Sequence, residues 1–347
     1  MNLSRIETLR AGKQPVGLPE IIGNTPILSL DNYLDRSDVE LCIKLEALNP
    51  GGSAKDRPAR QMIEEALRIG QIDQNSTIIE SSSGNMGIGL AQTCAFYGLK
   101  LIIVVDPNAQ KQNLAIIRAL GAEVKLVKNP VNGDFLTARL QVVSDLLKTV
   151  PGAFWPNQYR NPQNPLAHYL GTVREIDDQT DGELDYLFVA TSSTGTARGC
   201  RDLLAERGRD TKVIAIDAEG SALFGGTPGP RYISGLGAGT VPPLAIGQEF
   251  FGLRRVSDVE CVVGCRRMAQ REAMLVGGSA GGVLESVRAY QDQLAGKKVA
   301  ALLHDSGTRY LETVFDDEWV ERKLGVDPAT ITRLVNQRNA EEYSLAA

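Results

Sequence analysis

Short apolar runs rich in β-branched residues alternate with helical patterns along most of this 347-residue chain, and that alternation constrains its fold most strongly. Runs of this kind typically form strands buried on both faces of a parallel sheet. Strands are predicted at residues 41–46, 77–80, 101–105, 123–127, 186–190, 212–216 and 298–303. Helices are predicted at 54–69, 86–97 and 110–120, each followed by a glycine. The predicted fold class is α/β, with parallel twisted sheets flanked by helices.

Two stretches rich in asparagine and proline interrupt this pattern. They are "ALNPGGS" at 47–53 and "NQYRNPQNP" at 157–165. The segment that they bracket has the size of a small domain. We therefore expect a small domain at 47–158, a large domain built from 1–46 and 159–325, and a C-terminal tail at 326–347.

Composition argues against several classes of protein. The 42 acidic and 37 basic residues give a net charge of −5, which offers no electrostatic footprint for nucleic acid or an anionic membrane. Five cysteines and two histidines make a metal site improbable, so we expect none. No segment approaches the roughly 20 apolar residues needed to span a bilayer. These features favour a soluble cytoplasmic protein.

The first chemical motif is "NPGGSAKDRPAR", residues 49–60, in which Lys55 follows Gly-Gly-Ser-Ala at the start of a predicted helix. We expect Ser53 to be the N-cap and Lys55 to lie in the first turn. The positive end of the helix dipole disfavours an ammonium there and so favours the neutral amine that forms imines. A solvated surface lysine is the competing interpretation.

The second motif is "ESSSGNMGIGL", residues 80–90, between a strand and a helix. Backbone N–H groups at such a turn bind anions. The glycine spacing fits neither a dinucleotide fingerprint nor a P-loop. We predict a carboxylate site formed by Ser82, Ser83, Asn85 and Met86. A serine-rich turn that only caps the helix is the alternative.

The third motif is "TSSTGTARG", residues 191–199, again between a strand and a helix. Small hydroxylated residues and glycine offer N–H and O–H donors that suit a phosphate dianion. We call this segment the phosphate cradle; it consists of Ser192, Ser193, Thr194, Gly195 and Thr196.

The fourth motif is "GGSAGG", residues 277–282, at the start of another predicted helix. It matches G-x-S-x-G, so Ser279 could be a hydrolase nucleophile with His304 as its base. However, no apolar strand runs directly into Ser279, as that motif requires. A serine whose hydroxyl contacts a ring nitrogen is favoured instead.

In this order, the four motifs resemble the pyridoxal-phosphate (PLP) enzymes of the cysteine synthase and cystathionine β-synthase family, which have fold type II. The resemblance runs from "IIGNTPILSL" (21–30) through "ISGLGAGTVPP" (233–243) to "DSGTRY" (305–310) and covers about nine-tenths of the chain. It implies PLP as cofactor, a homodimer, a large cofactor domain and a small mobile domain.

The resemblance also implies individual roles. Lys55 would form the imine with PLP and act as general base for the substrate's α-proton. Asn85 would bind the cofactor's 3′ oxygen, the phosphate cradle its phosphate, and Ser279 its pyridine nitrogen. A serine partner leaves that nitrogen largely unprotonated, which weakens PLP as an electron sink and favours elimination over transamination. The implied reaction replaces a leaving group on Cβ of a serine derivative.

Departures from the family pattern suggest a particular branch. The chain has S-S-G-N-M at 82–86 where cysteine synthases usually have T-S-G-N-T, and S-S-T-G-T at 192–196 where they have G-T-G-G-T. Tyr159 and Arg160 follow the usual glutamine, Gln158, which is also expected to bind substrate. These changes resemble the siderophore-pathway branch that joins O-phospho-L-serine to L-glutamate on the way to 2,3-diaminopropionate.

A phosphate leaving group needs positive charge and hydrogen-bond donors nearby. Arg139, Tyr159 and Ser192 are the predicted ligands, with Arg198 and Arg231 as further candidates. A solvated helical arginine is the alternative for Arg139. Other functions that remain open are a cysteine synthase using O-acetylserine or O-phosphoserine with sulfide, a threonine synthase-like enzyme or dehydratase, and a non-enzymatic relative. Intact Lys55, Asn85 and Ser279 argue against the last.

Overall fold

The computed structural model describes residues 17–338, and within that range ten strands form two sheets. In chain order the strands are β1 (Ile27–Ser29), β2 (Glu40–Leu45), β3 (Thr77–Glu80), β4 (Lys100–Val105), β5 (Glu123–Leu126), β6 (Ala153–Phe154), β7 (Tyr186–Ala190), β8 (Lys212–Ala218), β9 (Gly252–Val256) and β10 (Lys298–Leu303). All seven predicted strands are present, with ends shifted by two residues at most. The sequence did not predict β1, β6 or β9.

Eleven α-helices lie among the described residues. They are α1 (Asp56–Arg68), α2 (Asn85–Tyr97), α3 (Lys111–Ala119), α4 (Phe135–Thr149), α5 (Gln163–Ala167), α6 (Val173–Gln179), α7 (Gly195–Glu206), α8 (Asp258–Glu272), α9 (Gly278–Ala289), α10 (Asp317–Leu324) and α11 (Pro328–Asn336). A π-helical turn, His168–Thr172, joins α5 to α6. The predicted glycine terminators are confirmed, because Gly98 and Gly121 follow α2 and α3 with φ of 69° and 87°.

The chain divides into two compact units. The first contains the described residues up to Asn24 together with Leu48–Ala167, and the second contains Thr25–Ala47 with the described chain from His168 onward. The roles predicted for 47–158 as a small mobile domain and for 1–46 plus 159–325 as a large cofactor domain remain predictions.

The first unit has a four-stranded sheet in the order β5-β4-β3-β6, with every pair parallel. Thr77 pairs with Lys100 and Ile102 with Glu123, so the carboxyl ends of β3 and β4 lie at one edge of the sheet. Helix α1 buries an apolar face formed by Ala59, Met62, Ile63, Ala66 and Leu67. Parallel strands under helices confirm the α/β class in this unit.

The second unit has a six-stranded sheet in the order β1-β2-β10-β7-β8-β9. Only β1 is antiparallel to its neighbour. Helix α11 adds Ile331, Leu334 and Val335 to the core of this unit, so part of the predicted tail, 326–347, packs as a helix. The remainder of that tail, from 339 onward, lies outside the described residues.

Helices α8 and α9 of the second unit touch backbone to backbone. A Cβ at Gly264 would lie 2.1 Å from the carbonyl oxygen of Gly281, and a Cβ at Gly281 would lie 2.1 Å from that of Cys261. Real Cβ atoms do not approach other atoms so closely, so both glycines are required for this contact. No helix within residues 17–338 is long and apolar enough to cross a membrane.

Candidate active site

In the first unit, Lys55 lies at the start of α1. The helix begins at Asp56 with Lys55 as the N-cap residue, two residues later than the predicted start, so the predictions of Ser53 as N-cap and of Lys55 in the first turn were wrong. Ser53 still caps the turn, because its Oγ accepts a hydrogen bond from Lys55 N at 3.2 Å. Asp56 is fully buried and its carboxylate accepts the N–H of Gly51. These bonds fix the backbone on both sides of the half-buried lysine.

Helix α2 packs directly against the lysine's own backbone. A Cβ at Gly89 would lie 3.0 Å from both the Lys55 carbonyl oxygen and the Ala59 Cβ. That carbonyl also accepts the N–H of Ala59 at 3.1 Å. A side chain at position 89 would therefore push α2 away from the residue expected to react.

The serine-rich turn at the start of α2 has the geometry of an anion site. Ser82 Oγ accepts the N–H of Gly87 at 3.2 Å, and a Cβ at Gly87 would lie 2.5 Å from the Ser82 carbonyl oxygen. Asn85 is the first helical residue and, like Ser83, is half-buried. First-turn N–H groups have no acceptor within their own helix, so they suit an anion.

The side chain of Met86 lies in the core and does not line a pocket. Its side chain is 2% exposed and packs in the hydrophobic core of the first unit. What Met86 can offer a carboxylate is therefore its backbone N–H in the first turn of α2. We therefore keep the prediction that Met86 binds substrate, through its backbone N–H group.

Glu80, a buried carboxylate at the end of β3, was not predicted from the sequence. It accepts the Trp155 indole N–H at 2.9 Å, the Gln158 N–H at 3.3 Å and the Ser81 N–H at 2.7 Å. Burial raises the pKa of Glu80, while Trp155 and the backbone N–H groups act in the opposite direction. Because each of these hydrogen bonds comes from an N–H donor, we infer that Glu80 is ionised and holds the predicted substrate ligand Gln158 in place. A charged residue ending an apolar strand was the available signal.

Replacing Glu80 by glutamine should lower the free energy of unfolding by about 1–3 kcal/mol, because an amide NH₂ would face N–H donors that now bond to oxygen. Thermal unfolding of the apo-protein measures this change. The control is Trp155→Phe, which removes one donor and should cost about 1 kcal/mol. If the Glu80→Gln variant unfolds with the same free energy as the wild type, the native carboxyl is protonated.

The predicted ligands of a leaving phosphate lie in different settings. Arg139, on α4, forms an ion pair with Asp106 at the end of β4, with 3.1 Å between Nε and Oδ2. Tyr159 is 36% exposed. Arg198 pairs with Asp202 at 3.5 Å, and Arg231 donates to the Leu236 carbonyl oxygen at 3.2 Å. Each arginine thus already has a partner within its own unit.

In the second unit, the phosphate cradle lies between β7 and α7. Thr194 is the N-cap residue of α7 with φ of 67°, a left-handed conformation that β-branched residues rarely adopt. Ser193, Thr194 and Thr196 are buried, and Ser192 is half-buried. The N–H groups of Gly195 and the next residues have no acceptor in the first turn of this 12-residue helix. The cradle therefore presents several donors at the positive end of a helix dipole.

Ser279 lies in the first turn of α9 and is 3% exposed. A Cβ at Gly235 would lie 3.6 Å from its Oγ, so the glycine-rich segment 233–239 passes next to the serine. Before α9, Val276 forms only an isolated bridge with Ser306. A hydrolase nucleophile needs a strand leading into a sharp turn, so this geometry does not support the hydrolase alternative.

Taken unit by unit, the chemical groups of these residues suit the separate parts of a phosphate-bearing carbonyl cofactor. The cradle offers hydroxyl and N–H donors to a phosphate, Lys55 offers an amine, and Ser279 offers a hydroxyl at a helix start, where a heterocyclic nitrogen could accept it. The α/β fold with these groups is that of a fold type II PLP-dependent enzyme.

The chain belongs to the pyridoxal-phosphate dependent enzyme family, whose family model matches residues 18–305. It is 40% identical over 309 residues to N-(2-amino-2-carboxyethyl)-L-glutamate synthase of Ralstonia nicotianae, covering 87% of this chain and 90% of the relative. The family and cofactor predicted from the sequence are confirmed.

Solved structures agree with this assignment. A hydrogen sulfide-producing enzyme from Fusobacterium nucleatum is similar with a TM-score of 0.80 and 33% identity, covering 87% of this chain and 100% of its own. The O-acetylserine dependent cystathionine β-synthase from Helicobacter pylori is similar with a TM-score of 0.80 and 32% identity, covering 87% of this chain and 98% of its own.

Proposed function

We propose that this chain catalyses a β-replacement that joins O-phospho-L-serine and L-glutamate to give N-(2-amino-2-carboxyethyl)-L-glutamate and phosphate. The observation that carries the proposal is 40% identity to a relative of that name over nearly the whole of both chains. We further propose that the product serves 2,3-diaminopropionate and siderophore biosynthesis and that the enzyme is cytoplasmic. We also propose that it is a homodimer, as the family resemblance implies.

The reaction balances without an oxidant or reductant. The bond between Cβ and the phosphate oxygen of O-phosphoserine breaks, and a bond between Cβ and the glutamate nitrogen forms. The proton taken from Cα of phosphoserine is returned to Cα of the product, and the glutamate nitrogen loses a proton as phosphate departs.

Lys55 would move the Cα proton. When bound, PLP supplies the aldehyde that holds the amino-acid substrate and the ring that withdraws electrons from Cα. The hydrogen bond to Ser53 and the close approach of Gly89 fix the backbone of Lys55. The amine at the end of the Lys55 side chain therefore moves about a fixed Cα. A positioned amine of this kind can take a proton and return it.

The remaining cofactor ligands would be Asn85 for the 3′ oxygen, the phosphate cradle for the phosphate and Ser279 for the pyridine nitrogen. A neutral serine hydroxyl does not stabilise a protonated ring, which suits elimination from Cβ. Ser82, Ser83, Asn85, Met86 and Gln158 would bind the substrate carboxylate through hydroxyl, amide and N–H donors.

Arg139, Tyr159 and Ser192 would bind the leaving phosphate. Arg139→Ala should raise the Michaelis constant for O-phospho-L-serine about tenfold and that for O-acetyl-L-serine little, because only phosphate carries the dianionic charge. Steady-state kinetics with both donors measures this.

The matched control is Asp106→Asn, which removes the carboxylate that pairs with Arg139. It should leave the Michaelis constant for O-phospho-L-serine unchanged or lower it, since the guanidinium becomes more available. If both variants raise the Michaelis constants for O-phospho-L-serine and O-acetyl-L-serine by the same factor, Arg139 has only a structural role.

A second candidate function is cysteine synthesis from O-acetylserine or O-phosphoserine with sulfide. The names of the Fusobacterium and Helicobacter enzymes, which refer to hydrogen sulfide and O-acetylserine, favour keeping it. The same residues would act on Cβ, and only the donor and the nucleophile would differ.

Mass spectrometry of products separates the two. Purified holoenzyme is incubated with O-phospho-L-serine or O-acetyl-L-serine, each with L-glutamate or sulfide. We expect the phosphoserine and glutamate pair to react most efficiently. Preferential formation of cysteine in both donor series would favour the second function, and Lys55→Ala serves as the blank.

A further inference from the structure

Two threonine hydroxyls of the phosphate cradle each contact a side chain from outside the cradle. His168 Nε2 lies 3.2 Å from Thr196 Oγ1, and Gln248 Nε2 lies 2.9 Å from Thr194 Oγ1. All four residues belong to the second unit. What each threonine can do for a phosphate depends on whether it accepts or donates the hydrogen in these contacts.

The contact with Thr172 shows which ring nitrogen of His168 carries the hydrogen. The other ring nitrogen, Nδ1, lies 2.9 Å from Thr172 Oγ1, and both residues are fully buried. Among the described residues, this is the one hydrogen bond of the Thr172 hydroxyl. If Nδ1 carried a hydrogen, that buried O–H would have no acceptor, which is costly. The Thr172 hydroxyl therefore donates to Nδ1, and the ring hydrogen lies on Nε2.

The contact with Leu244 shows which end of the Gln248 amide faces Thr194. The same amide end of Gln248 that faces Thr194 also contacts the Leu244 carbonyl oxygen. A carbonyl oxygen can only accept, so that end of the amide must be the NH₂ group. Thr194 Oγ1 therefore accepts a hydrogen from Gln248.

Both threonines thus receive a hydrogen from outside the cradle, and their own hydroxyl hydrogens point elsewhere. A phosphate dianion offers acceptors only, so it requires this polarity. We propose that His168 and Gln248 are positioning residues that make the hydroxyls of Thr196 and Thr194 hydrogen-bond donors to the cofactor phosphate. The inference rests on the proposed role of the cradle in binding PLP.

Nitrogen NMR tests the direction at His168. The chain has two histidines, His168 and His304, so ¹⁵N-histidine labelling gives few ring signals, and His168→Gln assigns them. In the PLP-loaded enzyme we expect Nε2 of His168 to carry hydrogen and Nδ1 to carry none. A hydrogen on Nδ1, in a neutral or a charged ring, overturns the assignment.

Cofactor affinity tests the consequence. His168→Leu and Gln248→Met should each raise the dissociation constant of PLP from the apoenzyme about tenfold, because each leaves a threonine free to turn its hydrogen away from the phosphate. His168→Gln places an amide NH₂ at the position of Nε2 and should restore most of the affinity. Pyridoxal, which lacks the phosphate, should bind all variants like the wild type.

The pyridoxal comparison separates the possible failures. Equal losses of PLP and pyridoxal affinity would mean that His168 and Gln248 only support the fold, and the inference would be wrong. Wild-type protein that binds neither compound would contradict the proposed cofactor site itself. Should His168→Leu not fold, the wild-type NMR result still decides the ring polarity.

Discussion

Lys55→Ala should reduce turnover of O-phospho-L-serine by about 10³-fold or more, the upper range for loss of a positioned acid–base group. The same change should abolish covalent capture of PLP by borohydride, since the amine that would form the imine is lost. Rate assays and peptide mapping after reduction measure the two effects. The expected adduct in the wild-type enzyme lies on Lys55 and on no other lysine.

Two further variants make this test specific. Ser53→Ala removes the hydroxyl that accepts the Lys55 N–H at 3.2 Å but leaves the amine, so it should retain the adduct and most of the turnover. Lys148→Ala, at an exposed residue of α4, should behave as wild type. Reduction that labels a lysine other than Lys55 would refute the proposed catalytic role.

Glu285→Ala should destabilise the protein by about 3–5 kcal/mol, the range found when one partner of a buried ion pair is removed. Glu285, on α9, is 1% exposed and lies 3.0 Å from Arg288 Nε and 3.4 Å from Arg267 Nε. Tyr33 also donates to it at 2.8 Å. Without Glu285, two buried guanidinium groups would lose their shared carboxylate. Denaturant unfolding of the apo-protein measures the change.

An exposed ion pair in the same unit is the control. Asp292 lies 3.0 Å from Arg36, and its side chain is 95% exposed. Asp292→Ala should therefore cost less than about 1 kcal/mol. Equal losses in the two variants would mean that Glu285 contributes no more than a surface charge does.

The sequence predicted those parts of the fold that local patterns determine. Apolar runs located seven of the nine parallel strands among the described residues, and Gly98 and Gly121 marked helix ends because a left-handed residue is needed there. Strand β6 has two residues and β9 alternates in burial at the edge of the sheet, so neither gave the continuous apolar signal of a buried strand.

Candidate site residues were predictable where they lie in local motifs. Lys55, the turn at 82–86, the phosphate cradle and Ser279 each occupy a helix start that the sequence marked. Their predicted ligand contacts remain predictions. Glu80, His168 and Gln248 contact residues far along the chain, and the sequence marked only Glu80, as a charged residue at the end of an apolar strand, without indicating its partners. The ion pair between Arg139 and Asp106 also joins residues far apart in the sequence, so the sequence did not predict it.

The glycine contact between α8 and α9 has a consequence for attempts to redesign this enzyme. Ser279 is two residues from Gly281, where an added Cβ would lie 2.1 Å from the Cys261 carbonyl oxygen and 2.7 Å from the Cys265 sulfur. Substitutions at Gly264 or Gly281 would therefore displace the start of α9, where Ser279 lies. Variants at those two glycines should lose cofactor and stability together, whatever substrate is selected.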